Sequence, residues 1–255
     1  MKVKAVLETV FLRWGLLAWV ALICVWWVGS LFFSDEFLPG PLTTVESVGE
    51  LIASGTLQQD VLVSLARVAR GWLLGLAFAI PVGLVVGNFL RVGWFIEPLV
   101  NFFRFVPAIG FISLFLMWFG VGEASKTALI FYATIFPVMI NTITGVRSVD
   151  ESLVEAAETL GSSKVKVFFT VIVPSAIPNI FTGIRLGLSA AIICIVAAEM
   201  LAASEGIGYL IYTARLYYKT CWIFVGIFVL GTLGFCADKL LMVFGRRVLG
   251  RFGVR

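Results

Sequence analysis

Side chains suited to catalysis are few in this sequence, and their types exclude most enzymatic mechanisms. The 255 residues include no histidine, which excludes imidazole acid–base catalysis and histidine metal ligands. No G-x-x-x-x-G-K-[ST] phosphate-binding loop occurs, so the chain has no ATP site of this kind. We therefore expect no catalytic residues, no metal site and no cofactor within this chain. The cysteines form no C-x-x-C pair and lie in or beside apolar runs, where we expect small apolar side chains; they are Cys24, Cys194, Cys221 and Cys236.

The most ordered polar pattern lies between residues 147 and 185. Gly161 follows a stretch in which four apolar positions recur at helical spacing, the place where a glycine commonly ends a helix. Ser162 or Ser163 can then cap a second helix, 164–173, that ends before Pro174. Two capping-box patterns begin at Ser148 and Ser152. The sequence predicts an amphipathic helix at about 149–161. Its apolar stripe consists of Leu153, Ala156, Ala157 and Leu160, and its acidic side of Glu151, Glu155 and Glu158.

This acidic helix is unusual for one that lies on a membrane surface. Surface helices carry Lys and Arg on the polar side and bulky apolar groups below, whereas this one carries carboxylates and the adjacent pair Ala156 and Ala157. Small residues let another backbone approach closely, which favours docking into a groove of a partner protein. The residues alone leave docking and packing against the same chain equally open.

The composition is that of a polytopic membrane protein. Hydrophobic residues make up 60% of the chain and charged residues 13%, with a mean hydropathy of +1.05. Soluble domains carry roughly 25% charged residues, so a soluble enzyme and a disordered chain are both excluded. About 20 apolar residues cross a bilayer as a helix. Six runs predict an all-α membrane protein with about six transmembrane helices: 14–34, 71–90, 105–122, 127–146, 186–198 and 220–237.

Prolines and glycines punctuate these runs. Pro81, Pro107 and Pro137 each remove a backbone donor, which membrane helices tolerate where neighbours satisfy the backbone. Glycine pairs at a spacing of four permit close contact between helices, and we expect them to pack helices within the chain. They are Gly71/Gly75, Gly83/Gly87 and Gly183/Gly187.

The distribution of Lys and Arg predicts that both termini are cytoplasmic. The inner segments 1–13, 91–104, 147–185 and 238–255 would then hold 14 of the 19 basic residues, as the positive-inside rule requires. Arg67 and Arg70 fit this topology least well. We divide the chain into three parts: 1–60 with the first span and an outer acidic loop, 61–245 as the core membrane domain that contains the amphipathic helix, and 246–255 as a basic cytoplasmic tail.

Several motifs resemble a known family. Glu155-Ala156-Ala157, Gly161 and Val171–Pro174 reproduce the spacing of the "EAA" loop of ABC-importer permeases, EAA-x3-G-x9-I-x-L-P, with valine at the Ile and Leu positions. Further motifs resemble the nitrate/sulfonate/taurine/bicarbonate branch of the same permeases. These are Ser64-Leu-Ala-Arg67, Gly71, Arg104-Phe-Val-Pro107, Trp118-Phe-Gly-Val-Gly-Glu123, Lys126, Gly183-Ile-Arg185 and Ala197-Ala-Glu199.

The resemblance implies a multi-pass permease of the bacterial cytoplasmic membrane with the type I, methionine-importer-like fold. It implies partners: an ATPase dimer that binds ATP and Mg²⁺, a second copy of the permease and an extracytoplasmic substrate-binding protein. The acidic helix would be the coupling helix that contacts the ATPase. Its coupling residues would be Glu155, Ala156, Ala157, Glu158, Leu160 and Gly161.

The substrate is the least defined expectation. We expect a small anion such as a sulfonate, taurine, nitrate or bicarbonate, with an aromatic or heterocyclic compound as the alternative because aromatics cluster around the third run. An ion-coupled secondary transporter is the alternative class, but its mid-membrane carboxylates are missing from the six runs. Candidate residues of the translocation path or gate are Phe105, Pro107, Trp118, Asn141, Ser189 and Glu199. Arg185 is expected to pair locally or to meet lipid headgroups.

Overall fold

A computed structural model describes residues 15–253, which are almost entirely helical and include no β-strand. The inner segment 1–13, the first residue of the run 14–34 and the last two residues of the basic tail lie outside the described residues. The helices are α1 (Leu16–Ser30), α2 (Pro41–Ala53), α3 (Thr56–Asn88), α4 (Leu90–Phe103), α5 (Ile112–Phe119), α6 (Glu123–Arg147), α7 (Glu151–Thr159), α8 (Lys164–Ala202), α9 (Ile207–Leu216) and α10 (Thr220–Leu249). Contacts divide the chain into two compact units, 15–59 with 210–229 and 60–209 with 230–253.

Within residues 15–253, four helices are long and apolar enough to span a membrane: α3, α6, α8 and α10. The pair α4 and α5 passes the same test together, with a bend of 87° between the two. Helix α1 is apolar but shorter, with 15 described residues. The expectation of an all-α, multi-span membrane protein is therefore confirmed.

The third predicted run, 105–122, differs from one straight helix. Its spanning segment begins earlier, at Leu90, and breaks after Phe103 before a short 3₁₀ turn, Ala108–Phe111, leads into α5. Pro107 explains the break, because it has no N–H and disfavours helical geometry in the residue before it. Its own backbone is extended, with φ −61° and ψ 133°.

The predicted helix end before Pro174 is also wrong. Helix α8 continues through the proline for 39 residues, from Lys164 to Ala202. A π-helical segment, Phe168–Ile172, precedes Pro174, which then occupies one of the first two positions of the following α-helical part. The π-helical segment changes the hydrogen-bond register just before the proline, so the helix continues although Pro174 has no N–H to donate.

The predicted glycine pairs pack helices within the chain. A Cβ built on Gly71, Gly75, Gly83 or Gly87 of α3 would lie 2.5–2.7 Å from a β-carbon of α6, so only glycine allows this approach. The α6 partners are, in the same order, Ile130, Thr134, Thr142 and Val146. Their numbers rise with those of the glycines, so α3 and α6 run in the same direction.

That parallel packing determines the path of the bent pair. If α4 and α5 returned to the side from which they entered, α6 would run opposite to α3. Because α3 and α6 are parallel, α4 and α5 together make one crossing. Helix α8 is antiparallel to α6, since Gly183 meets Asn141 whereas the later Gly187 meets Val138.

The unit formed by residues 15–59 and 210–229 has its own aromatic packing. Trp26 of α1 stacks on Phe224 with ring centroids 5.6 Å apart, and its indole N–H donates to the carbonyl of Pro39 at 2.9 Å. Pro41 begins α2 at a position where its missing N–H has no helical acceptor. These contacts join α1, the start of α2 and the first part of α10.

Candidate functional site

Helix α7 begins at an aspartate rather than at either predicted serine cap. Asp150 is the N-cap, and its carboxylate accepts a hydrogen bond from the backbone N–H of Ser152 at 2.9 Å. Hydrogen bonding by the Ser152 side chain and, to a lesser extent, by this N–H lowers the pKa of Asp150 below its ordinary value. Ser148 cannot serve as the cap because α6 continues to Arg147, and the Ser148 hydroxyl donates back to the carbonyl of Gly145.

The C-terminus of α7 has the predicted glycine geometry. Gly161 has φ +82°, a left-handed conformation that residues with a Cβ adopt at a cost. Its N–H bonds to the carbonyl of Glu158 at 2.9 Å, and the N–H of Ser162 bonds to that of Ala157 at 3.1 Å. These two bonds form a Schellman motif. Ser163 then caps α8 by accepting from the N–H of Lys166 at 3.4 Å.

The apolar stripe of α7 is uncovered. Leu160 is 87% exposed and Leu153 is 52% exposed. Ala156 is exposed, Ala157 is half-buried, and no residue of α7 is fully buried. The helix is thus rigidly delimited at both ends, yet it does not pack its apolar stripe against the described chain. This surface is available to another molecule.

A second site is a buried charge cluster that the sequence did not predict, here called the Arg67 cluster: Asp60, Ser64, Arg67, Glu123 and Glu199. Arg67 of α3 is only 2% exposed. Its Nε and Nη2 donate to the carboxylate of Glu123 at 3.0 and 2.7 Å, while Nη1 donates to Glu199 at 2.9 Å. The ends of α6 and α8 therefore share one guanidinium of α3.

Glu199 is fully buried and is satisfied by several donors besides Arg67. The Ser64 hydroxyl donates to it at 2.8 Å, and the backbone N–H of Gly208 donates at 2.9 Å. The same hydroxyl accepts from the N–H of Ile207 at 3.0 Å, and Asp60 accepts from that of Gly206 at 2.7 Å. The turn between α8 and α9 is thereby bound to α3 by its own backbone.

The Arg67 cluster explains why Arg67 fits the charge distribution poorly. The positive-inside rule counts exposed basic residues near membrane ends, whereas the Arg67 guanidinium is buried and paired with carboxylates. Arg70, one turn later, is 53% exposed and reaches Glu123 only at 3.4 Å. Burying a single guanidinium between two carboxylates demands matched geometry, because the loss of either partner leaves an unpaired charge.

The predicted path residues occupy different environments. Phe105 and Pro107 lie exposed at the break between α4 and α5, Trp118 is exposed on α5, and Ser189 is exposed on α8. Asn141 is half-buried in α6, and its side-chain amide donates to the carbonyl of Pro137 at 2.8 Å. Glu199 is buried in the Arg67 cluster rather than lining open space, and its role in the path or gate stays a prediction.

Ionisable residues lie inside the long helices because these helices extend beyond the uncharged runs. Glu199 lies within α8, and Asp238 lies within α10. The Arg185 guanidinium donates to both carboxylate oxygens of Asp238, at 2.7 and 2.8 Å, which confirms the expected local pairing. Each of these carboxylates has a cationic partner.

Sequence reasoning noted Ser64, Arg67, Glu123 and Glu199 separately but not their convergence, and it did not single out Asp60. Ser64 and Arg67, Glu123, and Glu199 belong to three motifs far apart in the chain. The sequence signal that could have pointed to the cluster is that each of these charges lies at or near the edge of an apolar run. Which edges meet depends on α3 and α6 being parallel, and that follows only from the packed helices.

The spanning helices, the exposed acidic helix and the paired buried charges define a helical membrane protein of the transport class. Residues 79–250 match the family of binding-protein-dependent transport system inner membrane components. The chain belongs to this family and is a multi-pass inner-membrane transport subunit. Permeases of this family act with an ATPase and a substrate-binding protein, so the ion-coupled alternative class is not supported.

Individual relatives cover most of the chain. A probable ABC transporter permease protein of Brucella melitensis is 41% identical over 83% of this chain and 86% of its own length. The taurine transport system permease protein of Escherichia coli is 35% identical over 89% of this chain and 85% of its own length. The nitrate import permease protein of Synechococcus elongatus is 32% identical over 89% and 86%.

A solved structure shares the fold. A chain of the methionine ABC transporter, in inward-facing conformations, superposes with a TM-score of 0.64 at 16% identity, covering 77% of this chain and 95% of that one. The expected methionine-importer-like permease fold is confirmed.

Removing Arg67 should destabilise the protein strongly. In Arg67→Ala, Glu199 would stay buried without its cation, a loss of about 3–5 kcal/mol in the free energy of unfolding. Thermal unfolding of the purified protein in detergent measures this. The matched control is Arg70→Ala, which removes an exposed cation from the same helix and should change stability by only about 0.5 kcal/mol. Equal unfolding temperatures for the two variants would contradict a structural role for the cluster.

Proposed function

We propose that this chain is the pore-forming subunit of an ATP-driven importer for a small anion and that α7 is the element on which the ATPase subunit acts. The observation that carries this proposal is the uncovered apolar stripe of α7 on a helix with well-formed caps at both ends. A helix that must be pushed by another protein needs a free docking face and a stiff attachment to the spans. ATP and Mg²⁺ would be bound by the partner ATPase.

The acidic composition of α7 supports a protein partner over a lipid one. Glu155 and Glu158 are exposed and would be repelled by anionic headgroups. The small side chains of Ala156 and Ala157 would let the backbone of α7 enter a groove, while Leu160 would fill an apolar pocket beside it. Gly161 ends the helix and so defines how far it projects.

Changing the end of α7 should uncouple transport from ATP hydrolysis. Gly161→Pro cannot adopt the observed φ of +82°, so the docking helix would lose its terminus while the spans remain intact. We expect normal membrane insertion, continued ATP hydrolysis by the assembled complex, and loss of uptake. Uptake and ATPase activity in proteoliposomes measure this, with Glu155→Lys as a second variant.

Gly161→Asn is the matched control, because asparagine tolerates the left-handed conformation better than other residues with a Cβ. It should retain most of the uptake. Wild-type uptake in both Gly161→Pro and Glu155→Lys would rule out α7 as the docking element.

We also infer that the transport pathway is completed by a second copy of this chain, as the resemblance to ABC importers implies. Ser189 supports this, because a hydroxyl exposed on the spanning helix α8 is better suited to facing protein or a polar path than lipid. Two ATPase chains would bind the two copies of α7.

The substrate that we favour is a small sulfonate such as taurine, with nitrate or bicarbonate as further anions of the same class. Relatives named for taurine and nitrate transport support this choice. Exposed aromatic residues such as Phe105 and Trp118 keep an aromatic or heterocyclic compound as the alternative. In proteoliposomes that contain the binding protein and ATPase, we expect ATP-dependent uptake of labelled taurine that excess nitrate or an alkanesulfonate reduces. Uptake of an aromatic compound alone would favour the alternative.

For orientation, we propose cytoplasmic termini, with α2 outside and α7 inside. The supporting observation is the nearly threefold excess of basic residues in the segments assigned to the inside. In a background without native cysteines, Val45→Cys on α2 should react with an impermeant maleimide in intact cells, because Val45 is 68% exposed. Leu160→Cys on α7 should react only after permeabilisation. The reverse pattern would invert the topology.

A further inference from the structure

A second paired charge lies where α6 leads into α7. Arg147 is the last residue of α6, and the N-cap of α7, Asp150, follows three positions later. The Arg147 guanidinium donates through Nη1 to one carboxylate oxygen of Glu97 at 2.9 Å and through Nη2 to the other. Glu97 lies on α4. This two-point contact therefore joins the base of α7 to a helix from a different part of the chain.

The base of α7 is also held to α8. The side-chain amide of Asn179 donates to the Ser148 hydroxyl at 3.3 Å, and that hydroxyl donates to the carbonyl of Gly145 at 3.0 Å. A Cβ on Gly145 would lie 2.8 Å from that of Asn179, so α6 and α8 are in close contact here. A displacement of α7 would thus move the ends of α6 and α8 together.

Helix α4 is the element that connects this base to the bent span. It runs from the ion pair to the break after Phe103, where the Tyr132 hydroxyl of α6 donates to the Phe103 carbonyl at 2.8 Å. Beside the ion pair, an open cavity of about 380 Å³ is lined by residues of α4 and α6 that include Val100, Asn101 and Thr144. Movement of α4 relative to α6 is sterically possible at this cavity.

The exposure and geometry of the Glu97–Arg147 pair suit a contact that orients α4 relative to α6 and that can also break and re-form. Arg147 is 37% exposed and Glu97 is 29% exposed, so neither charge is trapped if the contact breaks, unlike the charges of the Arg67 cluster. The two parallel N–H···O bonds define the relative orientation of the two groups. Gly93 packs against them, since a Cβ there would lie 2.6 Å from a Glu97 oxygen and 2.7 Å from Nη2 of Arg147.

We propose that Glu97 and Arg147 are positioning residues for transport: their ion pair transmits displacement of α7 to α4 and so to the break at residues 104–107, where the candidate path residues Phe105 and Pro107 lie. This inference rests on the proposed docking of α7 to the ATPase. It assigns the pair to energy coupling rather than to stability. A loss of the pair should therefore change the number of substrate molecules moved per ATP, not the amount of folded protein.

The test uses the complete complex, with binding protein and ATPase, in proteoliposomes. Glu97→Gln keeps the shape of the side chain and removes its charge, so we expect uptake per ATP hydrolysed to fall by about 5-fold to 100-fold, the range of typical coupling between sites. ATPase activity and thermal stability should remain near wild type. Gly93→Ala should have the same effect with both charges present, because its methyl group would separate them.

Charge exchange provides the rescue. Glu97→Arg combined with Arg147→Glu should recover most of the uptake per ATP, whereas each single reversal should abolish it. A purely structural role would instead lower the amount of assembled complex. Recovery of uptake per ATP in the double variant, with the amount of assembled complex unchanged, would therefore show that the ion pair transmits displacement from α7 to α4. A double variant that assembles yet stays uncoupled would count against the proposal.

The matched control is the Arg185–Asp238 pair, which is also bidentate and similarly exposed, at 35% and 30%, but joins α8 to α10. Asp238→Asn should leave uptake per ATP unchanged. An equal loss in Asp238→Asn, or a normal ratio in Glu97→Gln, would overturn the proposal. If Gly161→Pro uncouples the complex and Glu97→Gln does not, only this inference fails; if neither does, the docking of α7 fails as well.

Discussion

The burial of the Arg67 guanidinium between Glu123 and Glu199 is the constraint on which the helix arrangement depends. Arg67 is 2% exposed and Glu199 is fully buried, so each is tolerable only while the other is in place. Ser64 and the backbone N–H of Gly208 satisfy the remaining oxygen positions. An inner turn of α3, the start of α6 and the end of α8 must therefore meet at the same point. A packed apolar interface would allow them to slide more easily than this set of directional bonds.

Close glycine contacts extend that arrangement along the helices. Gly71 to Gly87 hold α3 parallel to α6 over its whole apolar length, while Gly183 and Gly187 hold α8 antiparallel. Lipid provides no hydrophobic drive for helices to associate, so small residues that allow backbones to approach are the main source of contact energy. The result is a rigid three-helix core, with the Arg67 cluster at one end of α6 and α7 beyond the other, about 36 Å away along the axis.

The two ends of this core differ in a way that suits transport. At the end with the Arg67 cluster, the charges are buried and fully paired, so breaking these contacts would leave unpaired buried charges. At the other, the apolar stripe of α7 is exposed and the Glu97–Arg147 pair is partly solvated, so contacts there can be made and broken without stranding a charge. If the ATPase acts on α7, as proposed above, a rigid core of this kind could carry the displacement from α7 to the Arg67 cluster.

Much of this was readable from the sequence, because local patterns and composition need no partner to be interpreted. The apolar runs determined a helical membrane protein, and the spacing of Leu153 to Gly161 determined a capped amphipathic helix with its left-handed glycine. The motif at Glu155 and Gly161 indicated the family. The Asp150 cap, the break before Pro107 and the passage of α8 through Pro174 required three-dimensional context, since neighbouring helices and the π-helical segment decide which of several compatible local geometries is used.

Only the tertiary structure decides which residues far apart in the sequence come into contact. Ser64, Arg67, Glu123 and Glu199 are separated by up to 135 positions, and nothing in their local sequence specifies which helix ends meet. Arg147 is likewise an ordinary charge at the edge of an apolar run, and Glu97 is one in the segment between two runs, until α4 is packed beside α6. The reason is physical: periodicity reports which face of a helix is apolar, whereas the choice of neighbour, direction and register depends on the contacts that all the helices make at once.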